Sequence, residues 1–313
     1  MALIPDLATI RAAAATVAGE VRRTPLIPAD HDKRPLGAET WLKLECLQVT
    51  GSFKARGAIN TLRSLPPEEI RRGIITASGG NHGLAVAYAG YVASAPAIIY
   101  LPRSVPAAKI AKLEAWGAMV VVEGDVWDEA NRAATLRAEA EGLTYIHPFA
   151  DARVIAGQGT LGLEILEQKS DLDALVVAIG GGGLISGVGL AAKAMKPGIK
   201  VIGIEPTGAP TLYESVRAQR LVELPRIETV ATTLAPRRSA PINLEIVSKF
   251  VDEIFLVSDD EMREAARWLW FEHGIAAELS GAASVAALLS GRYRPRPGER
   301  VCALVCGAGT DGL

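Results

Sequence analysis

The 313-residue chain is short of several things, and each shortage removes a class of protein. It has three cysteines, Cys46, Cys302 and Cys306, and no CxxC pair among them. That leaves neither a disulfide framework nor a zinc site, and free thiols point to a reducing compartment. The net charge is only −2, so bulk electrostatics recruit neither nucleic acid nor an anionic membrane. No stretch offers ~20 uninterrupted apolar residues, so no membrane-spanning helix is expected. Residues Met1 to Glu20 carry Pro5, Asp6, Arg11 and Glu20 and no cleavage site, which predicts an amphipathic helix rather than a leader. Repeats, low-complexity tracts and flexible linkers are missing too. The expectation is a cytoplasmic protein without nucleic-acid or membrane partners.

What the chain does have is apolar residues, at 49%, and 31 glycines, much of them clustered after apolar runs. Short β-branched runs at 73–78, 97–101, 118–122, 174–179, 200–204, 253–257 and 301–306 alternate with segments of helical period. Those segments lie at 82–94, 107–116, 125–141, 154–169, 184–195 and 259–273. Strands separated by helices of this length predict an α/β fold of parallel βαβ units, with helices on both sheet faces. Strands rich in Val and Ile and poor in charge fit sheets buried on both sides. Residues 292–300, with Pro295 and Pro297, predict a solvated loop before the last strand.

Three stretches carry candidate chemistry. Gly51-Ser52-Phe53-Lys54-Ala55-Arg56-Gly57-Ala58 follows the strand-like 41–45 and opens a helix. A lysine at such a junction, between an aromatic ring and glycines, can be shielded from water. Its amine is then deprotonated at lower pH and nucleophilic enough for Schiff-base chemistry. The alternative is a solvated lysine in a first helical turn. Next, Ser78-Gly79-Gly80-Asn81-His82-Gly83 ends a strand just before a small-residue helix, a setting that suits a carboxylate or phosphate. An ordinary capped turn is the alternative there.

The third stretch is Gly180-Gly181-Gly182-Gly183-Leu184, again between strand and helix. Four consecutive glycines cost conformational entropy that a mere turn does not need, and they allow backbone to approach a phosphate. Which phosphate is open, because Gly180-x-Gly182 with Glu205 further on also imitates a dinucleotide site.

Taken together, the lysine, asparagine and glycine segments closely resemble the pyridoxal-phosphate enzymes of the threonine/serine dehydratase and serine racemase family. The matching stretches are LECLQVTGSFKARGA at 44–58, SGGNHG at 78–83, IHPFAD at 146–151 and GQGTLGLEI at 157–165. They continue with GGGGLISG at 180–187, IGIEPTGAP at 202–210 and CGAGTD at 306–311. The resemblance implies the tryptophan-synthase β-like fold in two lobes, each an open, mostly parallel sheet flanked by helices. Residues 1–68 and 147–313 would form the large lobe that binds the cofactor, pyridoxal 5'-phosphate. Residues 69–146 would form the small one. It implies that Lys54 holds the cofactor as a Schiff base and later removes the Cα proton, with Phe53 beside the ring. Asn81 would bond the ring hydroxyl, Gly180, Gly181, Gly182, Gly183 and Leu184 would hold the phosphate, and Cys306 would face the ring nitrogen near Glu278. Ser78, Gly79, Gly80, Asn81 and His82 would grip the substrate carboxylate, His82 acting either on protons or only on the shape of the turn.

Departures from the family pattern shape the activity expected. Gly79 stands where the racemases carry a second serine, and glycine moves no proton. A neutral thiol at Cys306 leaves the ring a weaker electron sink, which favours loss of a β-hydroxyl soon after deprotonation. The family's metal position would use Glu205 and the Ala209 carbonyl, but Thr211 stands where a second acid belongs, so no metal is expected. Ala231-Thr232-Thr233 replaces an Ala-Asp-Gly stretch, and Gly309 an asparagine. Stopping at Leu313, the chain leaves no room for the regulatory domain of isoleucine-sensitive relatives. The expected activity is β-elimination from a β-hydroxy amino acid such as L-threonine or L-serine, in a homodimer or homotetramer. Racemisation or β-replacement on the same scaffold, and a binding protein without catalysis, are the alternatives.

Overall fold

The computed structural model describes residues 3–37 and 39–313, and places the strands of those residues in two separate sheets. Strands β1 (Leu26–Pro28) and β2 (Glu39–Leu44) come first. Then follow β3 (Ile74–Ala77), β4 (Ala97–Leu101), β5 (Met119–Val122) and β6 (Thr144–Tyr145). The last four are β7 (Ala174–Ala178), β8 (Lys200–Pro206), β9 (Glu253–Val257) and β10 (Arg300–Val305). The six-stranded sheet has the order β1-β2-β10-β7-β8-β9, and the four-stranded sheet the order β5-β4-β3-β6. All pairings are parallel except β1 with β2.

The uninterrupted apolar runs became the inner strands, as a sheet covered on both faces requires. Every residue of β3, β4 and β7 is buried. The larger core lies on β2, β7, β8 and β10 and is sealed by the Gly183–Met195 and Leu279–Leu289 helices. The smaller sheet has its own apolar clusters on both faces. The N-terminal amphipathic pattern forms the helix Leu7–Val17, capped by Asp6, whose side chain accepts from the Thr9 N–H. No helix of the described residues is long and apolar enough to cross a membrane.

One polar knot sits inside the large core. Arg56 grips Glu45 through two nitrogens at 2.8 Å and reaches Glu164 at 2.9 Å. Lys43 bonds the other Glu164 oxygen at 2.5 Å, and Thr24 donates to Glu45 at 2.6 Å. Two cations balance two carboxylates, so no buried charge is left over. Arg56 lies in the helix that Lys54 opens, so the knot anchors the first turns of that helix to β2.

Candidate active site

Lys54 is the first residue of the helix Lys54–Arg63, at the end of a turn that reverses through Thr50 (φ 62°) and Gly51 (φ 82°). The turn is stitched to the far end of the chain. The Phe53 N–H donates to the Cys306 carbonyl at 3.3 Å, and the Ala308 N–H to the Gly51 carbonyl at 2.8 Å. The Glu278 N–H joins the same ladder through Gly307, at 3.1 Å. Lys54 Nζ donates to the Pro148 carbonyl at 2.7 Å and lies 5.2 Å from the Phe53 ring centre. Burial lowers its pKa to about 8, although Cys306 and Glu278 oppose the shift. The amine therefore becomes an uncharged nucleophile as pH rises through about 8 rather than 10.5. Acylation of Lys54 in cofactor-free protein, followed by peptide mass spectrometry across a pH series, should show that midpoint near 8. A midpoint at the ordinary lysine value would mean the amine is solvated.

A second wall comes from the small sheet. β3 runs into Ser78-Gly79-Gly80, and the helix Asn81–Ala93 starts directly after it. The turn is tight: a Cβ on Gly83 would lie 1.9 Å from the Ser78 carbonyl oxygen. Gly79 packs under Val105, and the Gly80 N–H donates to Ser78 Oγ at 3.3 Å. Asn81 Nδ2 donates to Glu278 Oε1 at 2.7 Å, tying this wall to the large sheet. Burial raises the Glu278 pKa to about 7, partly offset by that hydrogen bond. His82 is buried and its Nε2 lies 2.9 Å from the Ile146 carbonyl, so that nitrogen carries the proton. Burial, then the charge of Lys54, lowers its pKa to about 3. A neutral ring engaged in this way ties the start of the helix to the Ile146 carbonyl.

The third wall is the glycine turn after β7, at the start of the thirteen-residue helix Gly183–Met195. Its backbone is pressed on every side. A Cβ on Gly181 would lie 2.1 Å from the Phe149 ring, one on Gly182 (φ 96°) 2.6 Å from Leu212, and one on Gly180 2.9 Å from the Thr233 carbonyl. Ser239 Oγ holds the Gly181 carbonyl at 2.9 Å, and Asn243 links Phe149 to Ser186. Among the described residues, no protein acceptor takes the N–H groups of Gly180, Gly181 or Gly182. Unclaimed donors at a helix N-terminus suit a phosphate. Leu184 is buried in the large core, so what it can offer this turn is backbone.

Cys306 is buried at the end of β10, and its thiol donates to the Ser280 carbonyl at 3.6 Å. Burial pushes the thiol pKa up, so it stays neutral. Glu205 is buried elsewhere, at the end of β8, where it accepts the N–H groups of Leu212 at 2.9 Å and Tyr213 at 2.7 Å. Its pKa rises to about 8 on burial, and the Ala209 carbonyl already accepts the Thr211 N–H. A carboxyl fully enclosed and engaged with backbone is not available to a ribose, so the dinucleotide reading loses its acid. Residues that sequence reasoning gave no role also line the cleft: Phe149, Ser239, Ser280 and Thr233. Only the odd Thr232-Thr233 pair signalled any of them.

A desolvated lysine amine held by the Pro148 carbonyl, next to the Phe149 that packs on a glycine turn of unclaimed N–H donors, suits an enzyme that holds a carbonyl cofactor bearing a phosphate. Pyridoxal phosphate fits those residues on both counts. The family model for pyridoxal-phosphate dependent enzymes matches residues 17–307. The chain is 40% identical to the L-threonine ammonia-lyase of Thermotoga maritima, over 97% of this chain and 76% of the relative. It is 35% identical to the phenylserine dehydratase of Ralstonia pickettii, over 98% of this chain and 94% of that one. The solved structure of maize serine racemase superposes with a TM-score of 0.94 at 34% identity, covering 98% of this chain and 94% of that one. The chain belongs to the pyridoxal-phosphate-dependent enzymes. Within them it falls in the threonine/serine dehydratase and serine racemase group, with their type II fold.

Proposed function

We propose that this chain acts on small β-hydroxy amino acids such as L-serine or L-threonine, eliminating the β-hydroxyl as water and, after a water adds back, releasing ammonia and a 2-oxo acid. The observation that carries this is the Lys54 amine, its pKa lowered by burial to about 8, bonded to the Pro148 carbonyl and near enough to His82 for their charges to interact. Pyridoxal phosphate, when bound, supplies the electron sink for charge developing at Cα. Lys54 would hold it covalently and, as a free amine, would take the Cα proton. The backbone of Gly180 to Gly183 and Leu184 would hold the phosphate, and Phe53, Asn81, Glu278 and Cys306 would hold the rest of the cofactor. Ser78, Gly79, Gly80, Asn81 and His82 orient the substrate carboxylate, leaving the β-hydroxyl as the group that departs.

Gly79 favours elimination over racemisation, because no side chain at that position can return a proton to Cα. The two sheets act as two lobes, residues 69–146 bringing the carboxylate turn toward the rest of the chain. A cytoplasmic homo-oligomer belongs to the same reading. The free buried thiols support the compartment, and the adjacent exposed Trp270 and Phe271 support an interface. Cofactor-loaded protein should release 2-oxo acid and ammonia in equal amounts from L-serine or L-threonine, with a rate unchanged by a divalent-cation chelator. No release from either amino acid would overturn the assignment. A rate lost to the chelator and restored by magnesium would return Glu205 and Ala209 to the metal site.

A further inference from the structure

Thr233 lies between the carboxylate turn and the glycine turn, in the short 3-10 helix Thr232–Leu234. Its carbonyl oxygen is packed on Gly180, 2.9 Å from where a Cβ would sit. Its Cγ2 methyl faces Gly80, 3.8 Å from the Cβ position there. The hydroxyl is turned away from that gap: it donates to Ser280 Oγ and lies 3.4 Å from Glu278 Oε1. Thr233 is exposed, whereas Ser280 is buried. A β-branched side chain held by its hydroxyl keeps one χ1 setting, so the methyl is fixed toward Gly80.

Under the function proposed above, an amino acid would direct its amine at the Lys54 site and its carboxylate at the Ser78–His82 turn. The β-carbon substituent then takes the direction left over, along the wall that joins that turn to the glycine turn. Thr233 is the residue on that wall which meets a glycine of each turn, Gly180 through its backbone carbonyl and Gly80 through its methyl. We propose that Thr233 determines specificity, its methyl limiting the β-carbon to small substituents, so that serine- and threonine-sized substrates enter and β-aryl ones are rejected. The substrate class rests on the elimination chemistry proposed above.

Two variants separate shape from hydrogen bonding. Thr233→Ser removes the methyl and keeps the hydroxyl, while Thr233→Val keeps the outline and removes the hydroxyl. Calorimetry on the holoenzyme gives the affinity ratio of L-phenylalanine to L-alanine, neither of which has a β-hydroxyl to lose. Steady-state kinetics give the ratio of kcat/KM for threo-phenylserine to that for L-serine. Thr233→Ser should raise both ratios about tenfold, within the range that one methyl group in a pocket commonly discriminates. Thr233→Val should leave both within roughly threefold of the parent, since the outline is kept. Unchanged ratios in Thr233→Ser, or equal changes in both variants, would overturn the proposal. The affinity ratio needs no turnover, so it decides the matter even if the parent protein releases no 2-oxo acid.

Discussion

Lys54→Ala is expected to lower 2-oxo-acid release by at least about 10³-fold, the scale on which covalent and general-base groups contribute. The same variant should retain no cofactor after borohydride treatment and dialysis, whereas the parent should keep it covalently. Folding should be little affected. The Lys54 side chain makes one hydrogen bond, to Pro148, and no ion pair among the described residues, and desolvation already works against its charge. Lys54→Arg supplies the contrast, because a guanidinium stays protonated and cannot become the nucleophile. Both variants should therefore be inactive, Lys54→Ala with a melting temperature near that of the cofactor-free parent and Lys54→Arg with a lower one, since its buried charge cannot be shed. Activity surviving in Lys54→Ala at more than a tenth of the parent rate would remove Lys54 from the chemistry.

The second large effect is expected at Gly181. Its missing Cβ is where the Phe149 ring lies, and that ring cannot easily step aside. The Phe149 N–H donates to His147 Nδ1 at 3.2 Å, its carbonyl accepts from Asn243, and its ring meets His147 edge-on at 4.7 Å. Gly181→Ala must therefore move either the ring or the turn, at a cost of about 1–3 kcal/mol for forced repacking. Since the turn holds the phosphate, the loss should appear as roughly 5- to 150-fold weaker cofactor retention, on the scale of about 1.4 kcal/mol per factor of ten. Fluorescence titration of the cofactor-free protein measures it. Phe149→Ala in the same chain should recover part of the loss, because the two positions compete for one volume. Equal retention in parent and Gly181→Ala would mean the phosphate binds elsewhere.

The parts of this site legible in the sequence are those where the backbone has to do something unusual. Four glycines in a row, and a lysine straight after Gly51-Ser52-Phe53, announce themselves because such composition is costly unless backbone must approach something. The side chains that complete the walls left a fainter trace, Phe149 within IHPFAD and Thr233 in the odd Thr232-Thr233 pair. Phe149 comes from a short link between β6 and a helix, and Thr233 from the long irregular stretch before residue 241. Neither has a period or a spacing to recognise. The helix Leu279–Leu289 was also hidden, for a different reason. Leu279 through Leu288 are all buried, so no polar face marks a helical repeat. That helix fixes Glu278 at its N-terminal end. β1 and β6, of three and two residues, are too short to stand out from loop. Glu205 was misleading in the opposite way: its distance from the glycines mimics a ribose-binding acid, but the buried carboxyl is taken up by the N–H groups of Leu212 and Tyr213.

The strand order of the larger sheet has a consequence for synthesis on the ribosome. β3 to β6 are consecutive in the chain and pair only among themselves, so that sheet can form while translation continues. β2 emerges early but waits beside an empty lane for β10, the latest strand in the described residues, which separates it from β7. Until then the hydrogen bonds from Phe53 and Gly51 to Cys306 and Ala308 have no partners, and the Lys54 turn is unsupported. Such distant pairings are slow to form and leave sheet edges open in the meantime. The nascent protein can carry a finished small sheet and still have no seat for its cofactor.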